Sequence, residues 1–361
     1  MSNARELAEL GGSYGQGGFV GMKNRIINGA MVIDQRNAGA AITVQGFGVD
    51  RFVTMNQCDG VVSSQQVSDG PTGFDKSLKV TVTTADASLG TIQYVEVRQL
   101  IEGFNVADFG WGASGASTVT LSFWVKSSLT GTFGGSLINT YVNRSYPFGY
   151  TISSANTWEY KTVTVPGDTT GTWLKDNNTG MYVILNLGCG TNYQGTAGSW
   201  AASRAQTVTG AVSLIGTLNA TWQVTGVQLE KGSTATAFDY RPYGTELALC
   251  QRYYYKYLNN SGGQKYLCMA QAQSSTSAFG AILQLPVPMR STPSTGYSAA
   301  GDFGAYNGSG SAVNYFTSWS ITAQSNILLE QDSSGGSGLV AGNAAAIIIK
   351  NNGYFEASSE L

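Results

Sequence analysis

The chain of 361 residues contains no histidine. That absence excludes a Ser-His-Asp triad, a histidine general base and every metal site that needs an imidazole ligand. Charge is also scarce, at 12% of residues, roughly half of ordinary usage. With a net charge of -2 and no Lys/Arg cluster, the chain lacks the cationic footprint that a nucleic-acid partner demands. No apolar run reaches the roughly 18 residues needed to span a bilayer, so no membrane insertion is expected. The opening MSNARELAEL has neither a basic n-region nor an apolar h-region, which reads as synthesis in a cytosol. The cysteines Cys58, Cys189, Cys250 and Cys268 stand far apart, without zinc-site spacing, and read as buried thiols rather than disulfides.

What is plentiful is glycine, 47 residues of it, alongside Ser, Thr and Asn, with hydrophobic residues at 42%. Many of the glycines fall between short apolar stretches, as turns between many strands require, and none sits in a phosphate-cradling strand-loop-helix context. From Asn28 onward the hydrophobic period is two. Residues 79–84, 118–126, 160–165 and 222–229 alternate apolar with polar or Thr, the signature of strands with one buried face. Turn clusters such as Asp69-Gly70-Pro71-Thr72-Gly73 and Pro166-Gly167-Asp168 separate them at distances that favour a jelly roll over a meander. Trp124 and Trp222, inside alternating strands, are expected in the core.

Around residues 240–257 the texture changes to a breaker-poor stretch, read as a helical turn or extended connector. The expected fold is therefore all-β: a jelly-roll β-sandwich over 28–245 and a smaller C-terminal β domain over 246–361. The second domain is expected to hold strands at 265–273, 278–285, 318–322, 327–330 and 345–350, with a last one at Tyr354-Phe355. Residues 1–27 are expected to form a short N-terminal helix and a glycine-rich linker. Ser2 or Asn3 caps the helix, Glu6 completes a capping box, and Leu7 and Leu10 share one face. Two turns are marginal in water, so Leu7 and Leu10 are the candidate attachment residues, ordered only by docking on other chains.

The chain resembles a family of phage structural proteins that carry a carbohydrate-binding-module-like jelly roll. The resemblance rests on Asn28-Gly29-Ala30-Met31 with Asp34-Gln35-Arg36, Val49-Asp50-Arg51-Phe52, Leu121-Ser122-Phe123-Trp124-Val125-Lys126, Asn156-Thr157-Trp158-Glu159, Gly226-Val227-Gln228-Leu229-Glu230 and Glu246-Leu247-Ala248-Leu249-Cys250-Gln251-Arg252-Tyr253-Tyr254, in the family's order over 24–257. Ala4-Arg5-Glu6-Leu7-Ala8-Glu9-Leu10 looks like the family's virion-attachment leader. The resemblance implies a homotrimeric virion fibre of tail-fibre or head-fibre type, made in the host cytoplasm and bound to other virion proteins through its N-terminus. Host recognition through surface polysaccharide is the expected function, with a purely architectural capsid decoration or head fibre as the alternative.

Sugar recognition uses aromatic faces that stack on pyranose rings, with amides and carboxylates alongside. Trp111, Trp173 and Trp200, in Gly-, Ser- and Thr-rich surroundings, are candidate carbohydrate-binding platforms, with Tyr141, Tyr146 and Tyr193 behind them. Each has a plainer reading as a cap on an open end of the sandwich. Calcium could be held by the carboxylates of 69–75 or 168–171, although Gly-containing acidic loops are more often simple turns. A polysaccharide depolymerase would need a carboxylate pair from among residues such as Glu96, Glu102, Glu159 and Glu230, and no motif marks one. The expectation is a protein that is not an enzyme and has no cofactor.

Overall fold

A computed structural model describes residues 22–306 and 313–361, without the side chains of 280–282. The expected N-terminal helix, with Leu7 and Leu10, lies outside the described residues. The chain is all-β. Its first domain contains β1 (Gly46–Val49), β2 (Phe52–Gln57), β3 (Val61–Val67), β4 (Ser77–Thr84), β5 (Tyr94–Glu102), β6 (Val119–Ser127), β7 (Gly131–Asn139), β8 (Ser145–Ile152), β9 (Glu159–Val165), β10 (Thr179–Cys189), a short pair β11 (Gln194–Gly195) and β12 (Thr207–Val208), and β13 (Thr221–Lys231). An antiparallel six-stranded sheet in the order β1-β2-β5-β10-β7-β8 packs on a five-stranded one in the order β3-β4-β13-β6-β9, so most neighbours in space are distant in sequence. This is a jelly-roll sandwich.

Side-chain parity builds the core. Leu121, Phe123 and Val125 of β6, Leu78, Val80 and Val82 of β4, and Trp222 and Val224 of β13 meet Val95, Val97, Phe133, Val183 and Leu185 of the opposite sheet. Trp222 is fully buried, as its alternation predicts, and its indole N–H donates to the Tyr150 hydroxyl at 3.3 Å. Trp124 departs from expectation. It follows Phe123 directly, so the pleat that sends Phe123 inward sends Trp124 to the outer face, where it is half-buried.

Helix α1 (Tyr243–Gln251) leads into the second domain. There β14 (Tyr254–Leu258), β15 (Lys265–Ala272), β16 (Ala278–Gln284), β17 (Ser294–Tyr297), β18 (Phe303–Tyr306), β19 (Val313–Tyr315), β20 (Ser318–Ala323), β21 (Leu328–Ser334), β22 (Ala344–Ile349) and β23 (Tyr354–Ser358) form a seven-stranded and a three-stranded sheet. Phe303, Trp319, Ile347 and Phe355 lie in their common core, with Phe303 stacked on Trp319 at 4.1 Å.

The two domains are joined by charged side chains. Buried Glu102 of β5 accepts two bonds from Arg252, at 2.6 and 2.9 Å, and one from the Tyr253 hydroxyl at 2.7 Å. Arg36 lies between the rings of Phe47 and Tyr254 and pairs with Glu360 at 2.9 Å, and Arg51 pairs with the same carboxylate. Arg290 donates to the carbonyls of Asn177 and Glu360. All four cysteines are free; Cys189 and Cys250 are buried, while Cys58 and Cys268 are only partly so.

Two buried carboxyls carry a pH signature. Burial raises Glu96 to about 7, against the opposing pull of Arg98 and Arg204, and raises Asp50 to about 6, against Arg36 and Gln35. Both hold protons in the fold that they release when unfolded, so they favour the fold most below about pH 4, and this contribution is lost as pH rises toward 7. Urea midpoints are therefore expected to fall between pH 5 and 7. Glu96→Gln should flatten that fall, and an unchanged slope in this variant would contradict the assignment.

Candidate functional site

The aromatics singled out from sequence gather chiefly at one end of the sandwich, and they do so inward. Trp111, Trp173 and Trp200 pack edge to face with centroids 4.7–5.7 Å apart, and Tyr146 lies 5.2 Å from Trp200. Each indole N–H is spent within the protein: Trp111 on Ser117 O, Trp173 on Asp168 and Trp200 on Pro166 O. Trp111 is 3% exposed, Tyr146 6% and Trp173 7%, so their faces are closed to a sugar, and the cluster caps the sandwich. Trp200 is half-buried. Tyr193 is half-buried against Tyr94 and under the Arg204 guanidinium, and Tyr141 stands exposed on the β7–β8 turn. These six rings do not form a shared open surface.

The open aromatic surface lies on the outer face of the five-stranded sheet. A groove of about 420 Å³ has Ser122 and Trp124 of β6 and Gly226 of β13 among its lining residues. Tyr160 of β9 packs on Trp124 with centroids 5.3 Å apart. Facing them is a wall of three rings, Phe74, Phe238 and Tyr240, whose centroids are 4.8–5.4 Å apart. The Tyr240 hydroxyl donates to Gly73 O at 2.5 Å, tying the two wall-forming loops together. Burial, followed by the charge of Asp75, raises the pKa of that phenol.

The groove needs glycine at 226 for two reasons. The residue sits at φ +61 in a bulge of the β13–β6 ladder, and a Cβ there would stand 2.7 Å from the Phe74 ring and 3.1 Å from the Trp124 ring. Two residues on, Gln228 and Glu230 point outward and hold the loop that carries the wall. The Gln228 amide oxygen accepts the Asp239 N–H at 2.8 Å, while its nitrogen donates to Glu230 at 2.8 Å. Glu230 accepts both the backbone N–H and the hydroxyl of Thr236.

Polar groups flank the rings. Lys126 pairs with Asp69, whose second oxygen accepts the Trp158 indole N–H at 3.3 Å; the Lys126 bond, then the Trp158 one, holds the Asp69 carboxyl below its usual range. The Thr225 hydroxyl, cross-strand from Trp124, is buried with no partner among the described residues. Flat apolar faces edged by hydroxyls suit a ring with one apolar face and a polar rim.

The acidic residues considered for catalysis are bonded elsewhere. Glu102 is taken by Arg252 and Tyr253, Glu96 by Arg98, Glu159 by Lys161 and the amides of Ser153 and Ser154, and Glu230 by Thr236. Of the loops considered for calcium, Asp168 is held by Arg144, Trp173 and Thr170, and Asp69 as described. No group of three or more acidic or Cys residues with metal-binding geometry occurs among the described residues.

No protein-family model and no curated protein matches the sequence. Solved structures show loose likenesses. The enzymatically active domain of tailspike protein 4 of bacteriophage CBA120 aligns over 58% of this chain and 22% of its own, with 13% identity and a TM-score of 0.29. A family 11 carbohydrate-binding module of Clostridium thermocellum, bound to a mixed-linked tetrasaccharide, aligns over 56% of this chain and all of its own, with 11% identity and a TM-score of 0.28. The binding and catalytic modules of xylanase 10B from the same organism, bound to xylohexaose, align over 54% of this chain and 29% of theirs, with 12% identity and a TM-score of 0.28. The chain thus spans about a fifth of the tailspike domain. At these scores nothing about ligand or activity follows.

Gln228→Leu should leave the Asp239 N–H unpaired and Glu230 short of a donor, costing about 2 kcal/mol. Hydrogen exchange at 233–240 should accelerate while β6 and β13 stay protected; protection lost throughout the sandwich would mean that Gln228 belongs to the core instead.

Proposed function

We propose that this protein is a non-catalytic carbohydrate-binding component of a bacteriophage fibre, which holds host surface polysaccharide in the groove over Trp124. The observation that carries the proposal is the aromatic lining itself: Trp124 and Tyr160 opposite Phe74, Phe238 and Tyr240, open to solvent, with the hydroxyl-bearing Ser122 and Thr236 in the same lining. Such surfaces desolvate the apolar face of a pyranose while leaving its hydroxyls hydrogen-bonded. The virion setting rests on the sequence resemblance, as do the homotrimer and attachment to other virion proteins through the N-terminus. The Glu102, Glu159 and Glu230 carboxyls, each held by protein donors, favour binding over bond cleavage.

Affinity electrophoresis against polysaccharide from host cells tests this directly. Trp124→Ala is expected to weaken retention about tenfold, the equivalent of about 1.4 kcal/mol, with the unfolding midpoint little changed because the side chain lies outside the core. Trp111→Ala should instead lower stability by about 3 kcal/mol or more through the cavity left in the tryptophan cluster. Retention lost in the Trp111 variant while the Trp124 variant binds normally would move the site to the end of the sandwich. No retention of the intact protein, together with label confined to the head in electron micrographs of virions, would favour the architectural alternative.

Assembly is checked separately. Light scattering is expected to give three times the chain mass at micromolar concentration, and a monomer would remove the trimer from the proposal.

A further inference from the structure

A second cavity, of about 250 Å³, lies on the far side of the aromatic wall. Phe74, Phe238 and Tyr240 line both cavities, so the two spaces share one wall, whose ring centroids are no more than 5.4 Å apart. Beyond the wall the second cavity adds Tyr243, 63% exposed, and the exposed carboxylate of Asp75. Resting on the carbohydrate reading above, we propose that the ligand is an uncharged polysaccharide chain bound along its length, with a first subsite over Trp124 and a second beside Tyr243 on the other side of this ridge.

No ionisable acid or base other than tyrosine lines the first cavity. In the second, Arg241 is consumed within the protein: it pairs with Glu246 at 3.2 Å and donates to the carbonyls of Ile26 and Asn24. Glu246 also accepts the Asn28 N–H. Just outside the first cavity, Lys126 is neutralised by Asp69, the Lys23 ammonium donates to the Ala237 carbonyl, and Lys79 on β4 lines neither space. Among the described residues, the one unpaired charge lining the second cavity is Asp75, which repels uronate or sulfate groups but accepts bonds from neutral hydroxyls. An acidic glycan would have to bring its charge against linings that, among the described residues, offer no unpaired cation.

The length argument comes from the ridge. A single sugar unit occupies one side only, whereas a chain crossing the ridge gains contacts from Tyr240 and Tyr243 without a second loss of translational freedom. Affinity should therefore grow with chain length, and the growth should depend on Tyr243, which lies outside the first cavity.

The test uses the full chain in calorimetric titrations against neutral glucan, xylan and galactan polymers, their di- and hexasaccharides, and polygalacturonate as the anionic control. At least one neutral polymer should bind, its hexasaccharide should exceed its disaccharide by about tenfold or more, and raised salt should leave the affinity nearly unchanged. Tyr243→Ala should remove the advantage of the longer ligand and leave the disaccharide affinity as it was. Equal affinity for short and long ligands, or preference for polygalacturonate with binding that fades in salt, would overturn this inference while sparing the carbohydrate reading. Binding that survives in Trp124→Ala/Tyr160→Ala, or failure of the whole panel to bind, would bring down both.

Discussion

The aromatic groove depends on the paired bonds that Gln228 and Glu230 make across the outer face of β13. An amide and a carboxylate, two positions apart on one strand, point the same way and catch a loop that would otherwise leave the sheet. They bind that loop through its backbone N–H groups at Thr236 and Asp239, leaving Phe238 and Tyr240 free to stand as a wall. Both residues are almost wholly buried, so the bonds form where water competes least. The stretch Gly226-Val227-Gln228-Leu229-Glu230, which contributes to the family resemblance, thereby acquires a physical meaning. Glycine hollows the floor, Val227 and Leu229 fill the core, and Gln228 and Glu230 hold the wall.

A comparable economy operates at the domain junction. Helix α1 begins beside the second cavity, where Glu246 binds Asn28 and Arg241, and is followed at once by Arg252 and Tyr253, which converge on Glu102 of the six-stranded sheet. Removing Glu102 alone would strand a guanidinium and a phenol, so the junction favours a single relative placement of the domains more than it adds net stability.

The sequence revealed the five-stranded sheet far better than its partner. Strands β4 and β9 keep one face toward water, and in β6 and β13 apolar residues still alternate with Thr, Ser, Gln and Lys although loops cover much of the outer face, so the two-residue period is plain in all four. Strands β5, β7 and β10 are covered on both faces, by the core on one side and on the other by loops, the small cluster of Val53, Met55, Tyr94 and Cys189, or Glu102's partners, so their burial does not alternate. Periodicity has nothing to register there. Most of the C-terminal strands were legible because they too are half-exposed. The groove was harder to see. Trp124 sits in an apolar strand and reads as core until its parity relative to Phe123 is counted, and Phe74 meets Phe238 and Tyr240 only through a contact between segments more than 160 residues apart. Conversely, a glycine-rich setting suggested exposure for Trp111 and Trp173, whereas the small neighbours are what let the indoles pack edge to face.

The floor of the groove belongs to hydrogen-bonded strands and its wall to two loops, 71–75 and 233–243. Substitutions at Phe74, Phe238 and Tyr240 reshape the groove without removing a ladder bond of β6 or β13. The wall can thus vary while the scaffold beneath it stays constant, an arrangement that separates adaptability from foldability.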